Sequence, residues 1–131
     1  MKIKKYKIAI PIYDVVLDIW IGGQEKDFIA QINKKFQEDL EKMIEDGRSG
    51  CYVSFKMNKK NKERITDRVL WIETYNEEII IHEAFHFVAE LMAYKNIHLI
   101  ETTNYMYHHS SEEAWAYLLE YLFKEIKKKL R

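Results

Sequence analysis

The sequence predicts a single α+β domain in which a small antiparallel or mixed sheet packs against three helices. β-branched and aromatic residues dominate the segments 6–21, 51–57 and 65–75, as is typical of strands. Longer segments with apolar residues every three or four positions lie between and after them, which predicts amphipathic helices. With 131 residues, 47% of them apolar, the chain has enough material for one core. We therefore predict one domain over residues 1–131.

The charge balance and the cysteine content limit the partners and the cellular compartment that we expect for this chain. The chain has 21 Lys and Arg against 21 Asp and Glu, so its net charge does not indicate a nucleic-acid partner. Its single cysteine, Cys51, excludes an internal disulfide and fits a reducing compartment; we interpret it as a core residue. Asp14 and Asp18 interrupt the apolar run near the N-terminus, so we expect no signal peptide, no membrane partner and a cytoplasmic location.

The first half of the chain predicts strands followed by a helix. Pro11 has no N–H to donate, so it marks an edge position, a bulge or a break between two short strands in segment 6–21. Segment 24–46 predicts a long N-terminal helix with Gly47 as a candidate cap, because apolar residues recur at helical spacing. These are Phe28, Ile32, Phe36, Leu40, Met43 and Ile44.

The middle of the chain predicts an antiparallel hairpin and a second helix. Residues 51–57 and 65–75 flank a charged connection and form the hairpin. A helix follows over 76–94, with Asn76 as its N-cap. One stripe of this helix, which we expect to face the core, consists of Ile81, Phe85, Val88 and Met92.

This second helix contains the motif His82-Glu83-Ala84-Phe85-His86. Histidines four residues apart lie one turn apart on the same helical face, so both imidazoles can bind one tetrahedral metal ion, typically Zn²⁺. Glu83 lies beside them and can act as general base toward a water molecule on the metal. If the motif neither binds a metal nor takes part in catalysis, this segment is a helix with two surface histidines and a solvated glutamate.

A catalytic zinc site needs a third protein ligand, and the sequence offers several candidates. A third histidine six residues after the motif is excluded, because Ala89 and Met92 occupy the relevant positions. We predict a last helix over 111–130 and favour Glu113 in its first turn. The alternatives are Glu112, which the apolar stripe turns toward the core, and a histidine of the preceding loop, His108 or His109. Without a metal, Ser110-x-x-Glu113 would be a capping box.

The motif and the sequence Glu113-Ala-Trp-Ala-Tyr117 resemble the zincin metallopeptidases of gluzincin type, including small single-domain members from phage and prophage genomes. The resemblance implies a zincin-like fold, Zn²⁺ bound by His82, His86 and Glu113, and Glu83 as general base. Tyr117 stands where the common pattern has aspartate, and it is a candidate to hydrogen-bond a metal ligand. Tyr107 and His109 are candidates to stabilise the oxyanion.

Together these features predict a small intracellular zinc metallopeptidase that acts on a peptide or protein. An extended peptide could pair with the edge of strand 51–57 or of strand 66–74. Three other functions stay open: a zinc-binding interaction protein without catalysis, a zinc hydrolase of other amides or esters, and a metal-free helical adaptor. A fourth protein ligand would favour the first of them, because structural zinc sites are closed.

Overall fold

The structure is a computed structural model that describes residues 2–36, 48–56, 65–95 and 105–130. The side chains of residues 56, 65, 66 and 105–111 lie outside the description. The helices and strands, with one 3₁₀ turn, confirm the α+β class. In chain order they are β1 Lys4–Ile10, the 3₁₀ turn Pro11–Tyr13, β2 Val15–Ile21, α1 Glu25–Phe36, β3 Gly50–Lys56, β4 Ile65–Ile72, α2 Glu77–Tyr94 and α3 Tyr105–Leu130.

The four strands form one mixed sheet in the order β1-β2-β4-β3. β1 and β2 are antiparallel, as are β3 and β4, whereas β2 and β4 are parallel. Pro11 interrupts the first segment between two strands, which was one of the three predicted possibilities. The hairpin of β3 and β4 is also confirmed. Because β4 is paired on both sides, the prediction that strand 66–74 could accept a peptide is wrong. Of the two strands proposed for peptide pairing, only β3 has an open edge; the other edge strand of the described sheet is β1.

Helices cover both faces of this sheet. α1 packs Phe28 and Ile32 on one face, where Phe28 stacks on Trp71 with ring centroids 5.1 Å apart. Cys51 is buried in the same layer, as predicted for a core residue. α2 and α3 share the other face, where the largest cluster of buried apolar side chains lies. Its members from the two helices are Ile80, Ala84, Phe87, Val88, Leu91, Met92, Leu118, Leu122 and Ile126.

Three sequence predictions about the helices need correction. The described N-terminal helix, α1, has 12 residues and is not long; the rest of the predicted range, residues 37–46, lies outside the described residues together with Gly47. α3 begins at Tyr105 rather than at residue 111, and residues 105–110 contain no glycine or proline that would interrupt the helix. Ser110 therefore lies inside α3, and the capping box with Glu113 does not form.

The third correction concerns the core face of α2. Ile81 and Phe85 are each 46% exposed, whereas Val88 and Met92 are buried as predicted. Ten of the fourteen positions of this helix after its first turn are apolar, so more than one stripe satisfied helical spacing. Among the described residues, no helix combines the length and the hydropathy that a membrane span requires.

Candidate metal centre

The N-terminal half of α2 carries the predicted motif on a helix whose start is well defined. The side chain of Asn76 accepts hydrogen bonds from the backbone N–H groups of Glu78 and Ile79, at 3.0 and 3.2 Å. This confirms Asn76 as the N-cap of α2. His82 and His86 follow about two and three turns further along the same regular helix.

His82 and His86 point their imidazoles at a common position outside the helix. Their Nε2 atoms lie 3.2 Å apart, and the two rings are tilted by 76° with centroids 4.9 Å apart. Both side chains are exposed, so a ligand from solution can reach them. Without a metal, this distance allows one neutral ring to donate a hydrogen bond to the other.

Glu83 differs from the histidines because it is buried, with only 5% of its surface exposed. Together with the nitrogens of His82 and His86, a carboxylate oxygen of Glu83 forms a set of potential ligand atoms that lie within 4.8 Å of one another. Glu83 turns toward the first residue of β3, where a Cβ on Gly50 would lie 3.3 Å from its Cγ. The glycine thus allows the edge strand to approach α2 closely at the level of the glutamate.

Two open cavities adjoin this cluster between α2 and the beginning of β3. The larger has about 450 Å³ and is bordered by His82, Glu83, His86 and Gly50. The smaller has about 330 Å³ and extends along β3 past Tyr52 to Glu90. Both lie within the size range of sites that take small ligands or short peptide segments. The cluster therefore faces a groove that runs beside the edge strand.

The far end of this groove is held by a polar network centred on Glu90. Its carboxylate accepts hydrogen bonds from the Tyr52 hydroxyl, at 2.5 Å, and the Ser54 hydroxyl, at 2.7 Å. The guanidinium of Arg68, which is almost fully buried, lies 3.5 Å from the same carboxylate. Burial, and then the bond to Glu90, raise the pKa of Tyr52 well above its ordinary value. This network fastens β3 to α2.

Cys51 lies beside the groove without taking part in its chemistry. Burial, helped by the negative charge of Glu83, raises the pKa of the thiol from 9.0 to about 12. The thiol therefore stays protonated at neutral pH, whereas a nucleophile or a metal ligand has to be a thiolate.

The predicted third ligand lies on α3, which runs antiparallel to α2. Lys127 Nζ is 3.6 Å from Glu77 Oε1, and the rings of Trp115 and Phe85 have centroids 6.0 Å apart. This arrangement brings the region of Glu113 to the level of His86. Glu113 is half-buried and Glu112 is exposed, and neither belongs to the ligand cluster among the described side chains.

The remaining predicted site residues are not next to the cluster or lie outside the description. Tyr117 is 66% exposed and lines a separate apolar cavity of about 490 Å³ between α3 and the Pro11 turn. The described residues around that cavity include no histidine, cysteine or carboxylate, whereas the groove beside β3 contains the potential metal ligands. The side chains of Tyr107, His108 and His109 lie outside the described residues.

Sequence reasoning missed three residues of the groove: Arg48, Gly50 and Glu90. Arg48 and Gly50 fall between the predicted cap Gly47 and the predicted strand 51–57, and Glu90 is one of four glutamates on α2. Their proximity to the histidines depends on how β3 packs on α2, for which no local pattern in the sequence gives a signal. No protein-family model, curated protein or solved structure matches this chain, so its resemblance to zincins rests on its own residues.

Proposed function

We propose that this chain is a zinc-dependent hydrolase, a small metallopeptidase that cleaves peptide bonds with Glu83 as general base. The observation that carries the proposal is the cluster on α2: two histidine nitrogens converge within 3.2 Å beside a buried glutamate, in an open groove next to an edge strand. Each part of that arrangement has a function in metal-assisted hydrolysis.

The distance between the histidine nitrogens fits Zn²⁺. Zinc binds imidazole nitrogen at roughly 2.0–2.1 Å with tetrahedral angles, which separates two such nitrogens by about 3.3 Å. The separation of 3.2 Å between the Nε2 atoms of His82 and His86 agrees with this value. A metal could therefore be bound without a change in the conformation of α2.

We assign Glu113 as the third ligand, with Glu112 as the alternative. The antiparallel packing of α2 and α3 brings Glu113 to the level of His86. Its other role, the capping box with Ser110, is excluded because α3 begins at Tyr105. In the described structure its carboxylate stands apart from the cluster, so binding requires it to move toward the histidines when the metal arrives.

When bound, Zn²⁺ supplies Lewis-acid chemistry that acidifies a water molecule and polarises the scissile carbonyl. Glu83 accepts the proton from that water and transfers it to the leaving amine. Its burial favours this function, because a carboxylate shielded from bulk solvent keeps its orientation and interacts strongly with the reacting groups.

The open edge of β3 offers a binding surface for an extended peptide. The carbonyl of Ser49 accepts a hydrogen bond from the N–H of Glu73 at 2.8 Å, so residue 49 directs its backbone groups toward the β4 side. Because antiparallel pairing alternates, Gly50, Tyr52 and Ser54 direct their N–H and C=O groups to the outer edge. A peptide paired there would pass along the groove beside His82 and His86.

Zinc binding by purified protein tests this proposal. We expect the wild type to bind one Zn²⁺ per chain in calorimetric titration, and His82→Ala and His86→Ala to lose that binding. Glu113→Gln should weaken it at least tenfold, whereas Glu112→Gln, a matched change one residue away, should leave it unchanged. If Glu112→Gln weakens zinc binding and Glu113→Gln does not, then Glu112 is the third ligand. A wild type that binds no zinc would refute the proposal. Zinc binding without cleavage of any peptide in a mixed library would favour a zinc-binding interaction protein.

A further inference from the structure

Arg48 occupies a distinctive position in the groove. Of the residues that the structure describes, three border both cavities beside the cluster: Glu83, His86 and Arg48. The side chain of Arg48 is exposed, and it makes no hydrogen bond or ion pair to another residue in the described ranges. A cation next to the cluster thus has its donors available to a molecule that enters the groove.

The surroundings of Arg48 indicate what that molecule has to carry. Arg48 lies two residues before Gly50, at the end of the open edge where a bound peptide would enter or leave the site. Arg48 and Glu83 border the same two cavities, so both charges face the interior of the groove. They are not paired, however, so the guanidinium is not used to neutralise the general base.

We propose that Arg48 binds a carboxylate of the substrate, either the C-terminal carboxylate of a short peptide or the side chain of an acidic residue next to the scissile bond. The planar guanidinium offers a fork of N–H donors that matches a carboxylate in a bidentate arrangement. Such a contact orients the substrate relative to His86 and Glu83. This inference rests on the proposed function, because it identifies the substrate class of the same site.

Binding of small carboxylates to the zinc-loaded protein tests the inference without an assay of activity. The probes are N-acetylglycine, which has a terminal carboxylate, N-acetylglutamic acid α-amide, which has only a side-chain carboxylate, and the neutral N-acetylglycinamide. Dissociation constants come from titrations followed by NMR of the 15N-labelled protein. We expect at least one carboxylate to bind at least tenfold more tightly than the neutral amide, with the Arg48 Nε–H signal shifting on binding.

Three variants identify the group responsible. Arg48→Gln should weaken binding of the preferred carboxylate at least tenfold, and Arg48→Lys, which keeps the charge but not the fork, should weaken it less. Lys26→Gln removes an exposed cation from α1, on the other face of the sheet, and should leave the dissociation constant unchanged. Tighter binding of N-acetylglycine assigns the terminal carboxylate, and tighter binding of the glutamyl probe assigns an acidic side chain.

Other results would overturn the inference. An unchanged dissociation constant in Arg48→Gln would mean that the carboxylate binds zinc directly or binds elsewhere. Equal binding of N-acetylglycinamide and both carboxylates would mean that the site does not select a negative charge. Either result in a protein that binds zinc refutes the function of Arg48 alone, whereas failure of the wild type to bind zinc refutes the proposed function itself.

Discussion

Gly50 faces Glu83 across the boundary between the edge strand β3 and the motif helix α2. A Cβ added to Gly50 would lie 2.5 Å from Ile79 Cγ2 and 3.3 Å from Glu83 Cγ. The distance to Ile79 is too short for two carbon atoms that are not bonded to each other. Because residue 50 has no side chain, β3 can come this near to the cluster.

Gly50→Ala should therefore separate β3 from α2. We expect a loss of about 1–3 kcal/mol in the free energy of unfolding, as for other overpacked sites, measured by urea denaturation. Peptidase activity should fall, because Glu83 and the substrate-binding edge lose their alignment. Zinc affinity should stay the same, since both histidines belong to α2. A variant as stable and as active as the wild type would contradict the close packing.

Glu83→Gln should separate metal binding from catalysis. The amide cannot accept a proton, so we expect peptide hydrolysis to fall by about 10²–10⁴-fold while zinc still binds through the histidines. Glu78→Gln is the matched control, because Glu78 is an exposed residue in the first turn of the same helix. Full activity in Glu83→Gln would exclude this residue as the base.

Tyr52→Phe should weaken the packing of β3 against α2 and lower the free energy of unfolding. It removes a hydrogen bond to the carboxylate of Glu90, and hydrogen bonds to charged groups contribute about 1.5–3 kcal/mol. Because Ser54 donates to the same carboxylate, we expect Tyr52→Phe and Ser54→Ala to be non-additive in a double-mutant cycle. Strictly additive losses measured by denaturation would mean that the two hydroxyls act independently.

Cys51 should make the stability of the protein depend on pH in the alkaline range. The folded protein keeps the thiol protonated up to about pH 12, whereas the ordinary pKa of 9.0 applies to the unfolded chain. The unfolded state is therefore favoured as pH rises from 9 toward 12, and the contribution to stability is complete below pH 9.

Relative to Cys51→Ala, which lacks the thiol, we expect the wild type to lose about 1 kcal/mol between pH 8 and pH 10. Denaturation curves of both proteins at several pH values measure this difference. Between pH 6 and pH 8 the difference between the two proteins should stay constant. A constant difference through pH 10 would show that the thiol titrates alike in the folded and unfolded states.

Local signals in the sequence predicted the elements that position the site. Asn76 predicted where α2 begins, and the spacing of His82 and His86 predicted that their rings converge. Both features depend on helix geometry alone. Pro11 separated β1 from β2 for an equally local reason, the missing N–H. The prediction failed at Ile81 and Phe85, because apolar residues occur on more than one side of α2 and their spacing does not reveal which side meets the sheet.

Contacts between segments that are far apart in the sequence could not be predicted from local sequence patterns. Glu113 was assigned from a motif, and its position relative to His86 depends on how α3 crosses α2. Arg48 reaches the groove because Gly50 lets β3 approach the helix. A turn residue next to a glycine has no periodic or compositional signature that would separate it from other surface arginines, so only the packed structure identifies it.

The position of β3 at the edge of the sheet also has a dynamic consequence. In the part of the chain described, β3 has β4 as its single strand neighbour, so half of its amides lack a partner in the sheet. What holds it against α2 is the network of Tyr52, Ser54 and Glu90. Local opening of this strand, seen as faster hydrogen exchange at its amides than in β2, would open the groove without unfolding the core.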